Sequence, residues 1–261
     1  MDENYQTFLN RVMRLTLPET YESQVHHIQE SPKFQRDGNG RYQPTAFPGY
    51  AVITPTGWDD SKNTTLYESL KQYQAQIAQM LGSELFVPLP PESLHLTIAD
   101  LIWDSAFRHA NKSPEFEAQL RDRVADSFNQ CEPLTAHQAI RFQVVGLTVM
   151  TRAIAVCLGT TDEAGYDRIV KLRRSLYQNP DLIAIGIEQQ YYFTPHITLG
   201  YFGKISSELD RSNLSQTFDD LNKVWLDDYP KNEFWVHRAE LRKFDNMTAY
   251  YRDRDWTAFE F

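Results

Sequence analysis

An α+β fold of two similar lobes around a central cleft is predicted by three observations. Helical and extended segments alternate along the chain, yet two extended runs follow each other so closely that they read as a hairpin, which argues against a single parallel sheet. A seven-residue pattern occurs twice, as Ser93-Leu94-His95-Leu96-Thr97-Ile98-Ala99 and as Thr194-Pro195-His196-Ile197-Thr198-Leu199-Gly200. Each copy follows a helical segment, so the repeat reads as the duplication of a helix-plus-strand lobe.

Residues 4–15 and 19–30 read as two helical pieces broken at Pro18. The stretch 31–48 is loop-like, but Phe34, Tyr42 and Phe47 predict that it packs over the surface. The expected organisation is therefore an N-terminal extension, 1–48, packed on a bilobal domain, 49–261. Tyr50-Ala51-Val52-Ile53 reads as the first strand, stopped by Thr54-Pro55-Thr56-Gly57. Over 62–81, Leu66, Leu70, Tyr73, Ile77 and Leu81 recur at spacings of three and four, which predicts an amphipathic helix ended by Gly82. A strand over 93–99 and a polar helix over 114–129 come next. The runs 142–149 and 153–158 read as the hairpin, turning near Thr151-Arg152. A helix over 162–177, a strand over 191–200, a helix over 207–225 and short strands at 234–237 and 248–251 complete the reading.

A strand turns alternate side chains to opposite faces. Ser93, His95, Thr97 and Ala99 are thus expected on one face, with Leu94, Leu96 and Ile98 directed into a core. The second copy places Thr194, His196, Thr198 and Gly200 on one face, and Ile197 and Leu199 on the other. Ala99 and Gly200 read as residues too small to obstruct a ligand. A single His-x-Thr carries little information in a chain with 7 histidines. Its recurrence with the same apolar phase and the same terminal small residue is specific.

On these motifs the chain resembles the 2H phosphoesterase superfamily, whose signature is a tandem His-x-Thr/Ser. Lys33-Phe34, Gly38, Gly40 and Phe47-Pro48-Gly49-Tyr50 are similar to a microbial branch with an N-terminal extension. The resemblance implies two antiparallel sheets flanked by helices around the cleft, and a hydrolase acting on a small cyclic phosphate or 2′-linked nucleotide. It implies His95 and His196 as the acid–base pair, with Thr97 and Thr198 as donors to the phosphate. The chemistry suits the residues. Cleaving a phosphodiester without a metal needs a base, an acid and donors to the non-bridging oxygens. Histidine can serve as either acid or base near neutrality, because its ordinary pKa is about 6.5.

Further contacts can be offered from position alone. Ser93 and Thr194 are placed to orient the imidazoles or touch a ligand, or are ordinary strand hydroxyls. Tyr192 and Tyr201 could stack a base; on a regular strand Tyr192 shares the face of His196 and Tyr201 points away. Arg152, at the hairpin turn, is the one cation offered for phosphate charge. Some members carry a basic residue just after the second motif, where this chain has Gly200-Tyr201-Phe202-Gly203. His26, His27, His109, His137 and His237 lack a hydroxyl partner or a metal-ligand spacing, and read as structural or surface residues.

Composition bounds the rest. The 261 residues, 41% hydrophobic and 13% aromatic, are enough for a substantial core. A formal charge of −9 argues against an extended interface with duplex nucleic acid. No apolar run reaches the roughly 20 residues of a membrane span, and the first residues have no leader-like pattern. Two cysteines, Cys131 and Cys157, form neither a disulfide framework nor a zinc pattern. The expectation is a cytoplasmic enzyme without metal or other cofactor, and nothing in the sequence sets an oligomeric state. Two other functions remain open. A nucleotide-binding or sensing protein would need no second imidazole. A metallohydrolase would want a carboxylate beside the motifs, and none is expected there.

Overall fold

The computed structural model describes residues 3–131, 138–188, 191–228 and 233–261; His137 lies outside them. Two antiparallel five-stranded sheets form its frame. The first has the order β11 (Ala249–Tyr251), β10 (Arg238–Asn246), β3 (Gly49–Ile53) and β5 (Thr97–Trp103), with β12 (Ala258–Glu260) also on β10. The second has the order β4 (Phe86–Pro88), β8 (His196–Phe202), β7 (Ala153–Thr160), β6 (Ile140–Val149) and β9 (Glu233–Val236). A short hairpin, β1 (Phe34–Arg36) and β2 (Tyr42–Pro44), stands where the sequence reads as loop.

Helices cover the sheets: α1 (Tyr5–Arg14), α2 (Pro18–Gln24), α3 (Thr64–Leu85), α4 (Asp104–Ala110), α5 (Phe116–Cys131), α6 (Glu163–Tyr177), α7 (Pro180–Ala184) and α8 (Arg211–Asp228). Pro18 occupies the first turn of α2, where its missing N–H leaves no helical bond unmade. Gly82 interrupts α3 with a φ of 76°, a left-handed conformation that glycine adopts without steric cost. Phe8, Val12, Tyr21 and Val25 are all buried, so α1 and α2 are part of the core rather than an appendage. Among the described residues no helix is long and apolar enough to cross a membrane.

The sheets meet at one antiparallel bridge, Leu96 opposite Ile197. Both side chains are fully buried, and both are the apolar residue that follows a motif histidine. Carrying that register one residue each way sets His95 opposite Thr198 and Thr97 opposite His196. The repeat thus pairs with itself, head to tail.

The first motif is not a continuous strand from residue 93. Pro91–Ser93 is a turn of 3-10 helix, and the ladder with β3 begins at Thr97. On β5, Thr97 and Ala99 face consecutive residues of β3, Ile53 and Val52, which leaves Ile98 as an extra residue. On β8, Thr198 and Gly200 face consecutive residues of β7, Ala155 and Ile154, which leaves Leu199 extra. Each motif threonine is therefore followed by a β-bulge, and a bulge reverses the alternation beyond it. This corrects the faces expected of a regular strand. Ala99 and Gly200 turn into the packed interior, while Asp100 and Tyr201, three residues beyond each threonine, turn to the histidine side.

Buried donors hold both bulges. Arg173 of α6 donates to the carbonyl of Ile98. Gln74 of α3 donates to the carbonyl of Leu199 at 2.6 Å. Gly200 is required by packing, since a Cβ there would lie 2.4 Å from the Phe86 ring and 2.6 Å from the Val87 carbonyl oxygen. Gly200→Ala is expected to destabilise the fold by about 1–3 kcal/mol, the usual cost of overpacking. Urea unfolding of the variant measures this, and an unchanged midpoint would contradict the packing account.

Candidate active site

The junction of the sheets floors a cavity of about 760 Å³. His95, Thr97, His196 and Thr198 all line it. The register makes the two histidines diagonal neighbours across the junction, a relation in which residues of an antiparallel pair stand roughly 7–8 Å apart.

Each imidazole is fixed in the same way. Nδ1 of His95 lies 2.7 Å from the carbonyl oxygen of Ser93, and Nδ1 of His196 lies 2.8 Å from that of Thr194. A carbonyl oxygen only accepts, so Nδ1 carries the proton in both rings and donates it. Nε2 is left as the working nitrogen: bare when the ring is neutral, a proton donor when it is charged. The anchoring carbonyl is two residues back in both motifs, which is the physical content of the leading Ser/Thr-x-His.

The surroundings of His95 favour its neutral form. Burial lowers its pKa to about 4, although the Ser93 carbonyl and Asp100 act in the opposite direction. Tyr250 packs edge-on against the ring at 4.2 Å between centroids.

The remaining expected residues divide into two groups. Ser93, Arg152 and Tyr201 line the cavity with the histidines and threonines. The Ser93 hydroxyl is itself engaged, donating to the carbonyl of Pro90 at 2.8 Å. Tyr192 is 49% exposed outside the cavity, where the Arg11 guanidinium lies 5.5 Å from its ring. The hydroxyl of Thr194 accepts a 2.7 Å hydrogen bond from Arg11, whose other terminal nitrogen donates to the carbonyl of Phe193 at 2.7 Å. Glu3 pairs with Arg11 at 2.5 Å. Tyr192 and Thr194 thus do not turn to the cavity, because residues 191–195 precede β8 as irregular chain clasped by α1. Thr194 acts through its carbonyl, and Tyr201 joins the histidine face through the bulge.

Sequence reasoning missed three residues. Asp100 lines the cavity and accepts from the Tyr191 hydroxyl at 2.7 Å. It is a carboxylate beside the first motif, contrary to the expectation that none stands there, and its place depends on a bulge that side-chain alternation does not reveal. Lys33 reaches the cavity from the N-terminal segment, its ammonium 4.6 Å from the Phe47 ring centre and 5.0 Å from that of Tyr201. Its only sequence signal was its membership of the Lys33-Phe34 run. Tyr250 comes from β11, far from either motif.

Comparison with known proteins bears on the family. Residues 33–153 match the 2H-phosphodiesterase family model described as a domain of unknown function (DUF1868). No curated protein matches the chain. Among solved structures, a conserved protein of unknown function from Agrobacterium tumefaciens has 15% identity and a TM-score of 0.59, covering 89% of this chain and 96% of its own. LigT of E. coli, in its complex with 3'-AMP, has 13% identity and a TM-score of 0.42, covering 83% of this chain and 98% of its own. Usb1 of Kluyveromyces marxianus has 12% identity and a TM-score of 0.42, covering 82% of this chain and 97% of its own. The segment that carries the first motif is thus similar to the 2H-phosphodiesterase family, and the motif of that segment recurs on β8.

Proposed function

We propose that the chain is a metal-independent phosphodiesterase that hydrolyses a small cyclic or 2′-linked nucleotide, with His95 as base and His196 as acid. One observation carries this reading: both imidazoles are held by Nδ1 to the carbonyl two residues back and line one cavity. In the proposed step a water oxygen bonds to phosphorus as its proton passes to Nε2 of His95. The bond from phosphorus to a ribose oxygen breaks, and that oxygen takes a proton from Nε2 of His196. The product is a phosphomonoester. Hydroxyls of Thr97 and Thr198 donate to the non-bridging oxygens, where charge redistributes.

The rest of the cavity suits a nucleotide. Trp103, Phe244 and Tyr250 give it an aromatic wall for a base, and base–aromatic stacking is worth about 1–3 kcal/mol. Asp100 is the one carboxylate that lines it among the described residues. No group of three or more His, Cys, Asp or Glu among those residues could hold a metal ion, so the donor set favours proton transfer. The deciding experiment incubates the protein with nucleoside cyclic phosphates and 2′–5′ dinucleotides in the presence of chelator. Product formation supports the reading. Ligand binding without turnover assigns the cleft to nucleotide sensing, and turnover abolished by chelator points to metal catalysis.

His95→Ala and His196→Ala should each lower turnover by roughly 10²–10⁴-fold. The double variant should be little worse than either, because groups acting as a unit are not additive. Thr97→Ala and Thr198→Ala should cost less, about 0.5–1.5 kcal/mol each. A His95→Ala enzyme as fast as the parent would refute the pair.

The pH dependence has a definite sign. His95 must be neutral to accept a proton, so the acid limb of log kcat/KM should fall near its pKa of about 4, with an alkaline limb where the acid loses its proton. An acid limb near 6.5 would remove His95 from the base role. Stability is linked to the same group. Between the unfolded value of about 6.5 and the folded value, the unfolded chain binds the proton and the folded chain does not. The contribution is present above about 6.5 and is lost as pH falls towards 4, at up to about 1.4 kcal/mol per pH unit. Urea titrations at pH 7 and pH 5 should show a smaller loss in His95→Asn than in the parent.

The N-terminal extension enters as a positioning element, supplying neither acid nor base. Arg11 holds Thr194, whose carbonyl holds His196. Arg11→Leu should lower kcat by about tenfold, the scale of one lost charge-assisted hydrogen bond, with KM little changed and Arg11→Lys intermediate. An effect on KM alone would mean that Arg11 does not act through His196.

A further inference from the structure

The cavity continues past the histidines along β8 and ends between two cations. Tyr201 stands three residues beyond Thr198, roughly 10 Å along a strand that rises about 3.3 Å per residue. Over its ring lies the Lys33 ammonium, which is also 3.4 Å from the Tyr201 hydroxyl. The Arg152 guanidinium, just before β7, donates to Oε1 of Gln29 at 3.0 Å. Main-chain bonds set both cations on one rim. Gln29 N–H donates to the Thr151 carbonyl at 2.7 Å, Ser31 N–H to that of Phe202 at 2.9 Å, and Phe202 N–H to that of Arg152 at 3.0 Å.

Among the described residues, neither Lys33 nor Arg152 is ion-paired with a carboxylate. Burial lowers the Lys33 pKa, Asp100 opposes that, and Arg152 lowers it further. An anion between the two cations would relieve both costs. The charge count indicates which anion. The single negative charge of a diester is met at the histidines, where the acid is protonated. Lys33 and Arg152 add two positive charges against the one negative charge of Asp100, which leaves a net positive rim for a further anion. On a nucleotide that anion is a phosphomonoester, which carries about −1.5 to −2 at neutral pH. The cavity of about 760 Å³ lies in the upper half of the range for small-molecule sites, which runs from about 300 to 1,000 Å³.

We propose that Lys33 and Arg152 form a second anion subsite that takes a terminal phosphate, so that the preferred substrate is a nucleotide bearing a phosphomonoester in addition to the scissile diester. The subsite stands on the cations alone; its use in substrate choice rests on the phosphodiesterase reading above.

Calorimetry with the full chain tests the subsite without turnover, comparing adenosine 2′-monophosphate with adenosine 2′,5′-bisphosphate. The bisphosphate should bind about tenfold tighter or more, the scale of one or two charge-assisted hydrogen bonds. Added salt should shrink that advantage, and in Lys33→Gln and in Arg152→Gln the ratio should collapse towards one. Equal affinity, binding of neither ligand, or a preference that survives in both variants would overturn the subsite. Turnover of adenosine 2′,3′-cyclic phosphate, with and without a 5′-phosphate, separates the two claims. Binding preference without turnover of either compound sinks the phosphodiesterase reading and leaves the subsite. Turnover of both at equal kcat/KM sinks the subsite and leaves the enzyme.

Discussion

The antiparallel contact between Leu96 and Ile197 is the constraint on which the cavity depends. It is a short interaction, yet it fixes the relation of two sheets that otherwise share no ladder. Because both residues are buried and apolar, water is excluded from one side of the junction and the polar motif residues are left on the other. A slip of one residue would turn the imidazoles into the core and the aliphatic chains into the cavity. The apolar residue between each histidine and its threonine therefore sets where the chemistry can occur, although it takes no part in it.

The bulges beyond the motif threonines extend that control. A regular strand would present a small residue after each threonine, and the site would be a bare groove with two imidazoles. One extra residue in each strand instead brings Asp100 and Tyr201 to the polar side. The bulge carbonyls of Ile98 and Leu199 take buried side-chain donors, the second beside a 2.9 Å main-chain bond from the Leu89 N–H, and a buried unpaired carbonyl would cost about 1–3 kcal/mol. Arg173 and Gln74 supply them, each from a helix that precedes one motif in sequence and supports the other in space. Each half of the duplicated unit thus depends on the other half for its own local geometry.

The long helices and the β6–β7 hairpin were legible in the sequence, because each rests on a short-range periodicity, and the two antiparallel sheets were what the family resemblance implied. Strand β10 was not. Its run of Arg238, Glu240, Arg242, Lys243 and Asp245 reads as solvent-exposed, whereas Glu240 and Arg242 are buried and paired with each other at 2.5 Å, with Asp59 at 2.7 Å from Arg242. Side-chain alternation registers charge but not its compensation. Strand β4 was missed because Pro88 is its last residue and Pro90 and Pro91 follow directly. The faces of Tyr201 and Asp100 were missed because a bulge leaves no mark in composition. Lys33 entered from a segment read as loop, where a lysine carries no positional meaning until the chain is seen lying across β8.

The path of the chain has a mechanical consequence. It crosses between the sheets repeatedly: β3 belongs to the first, β4 to the second and β5 again to the first. Late in the chain β9 lies in the second sheet and β10 in the first, with only His237 between them. Asn63, beside the start of α3, also clamps Trp235 of β9 through both its carbonyl and its N–H. Two halves tied in this way cannot swing apart like jaws. The distance between the facing histidines is then a property of the closed framework, set at folding, and the cavity meets each ligand as a gauge of fixed width. Admission and release fall to the long side chains at the rim, whose rotamers change without disturbing a single ladder bond.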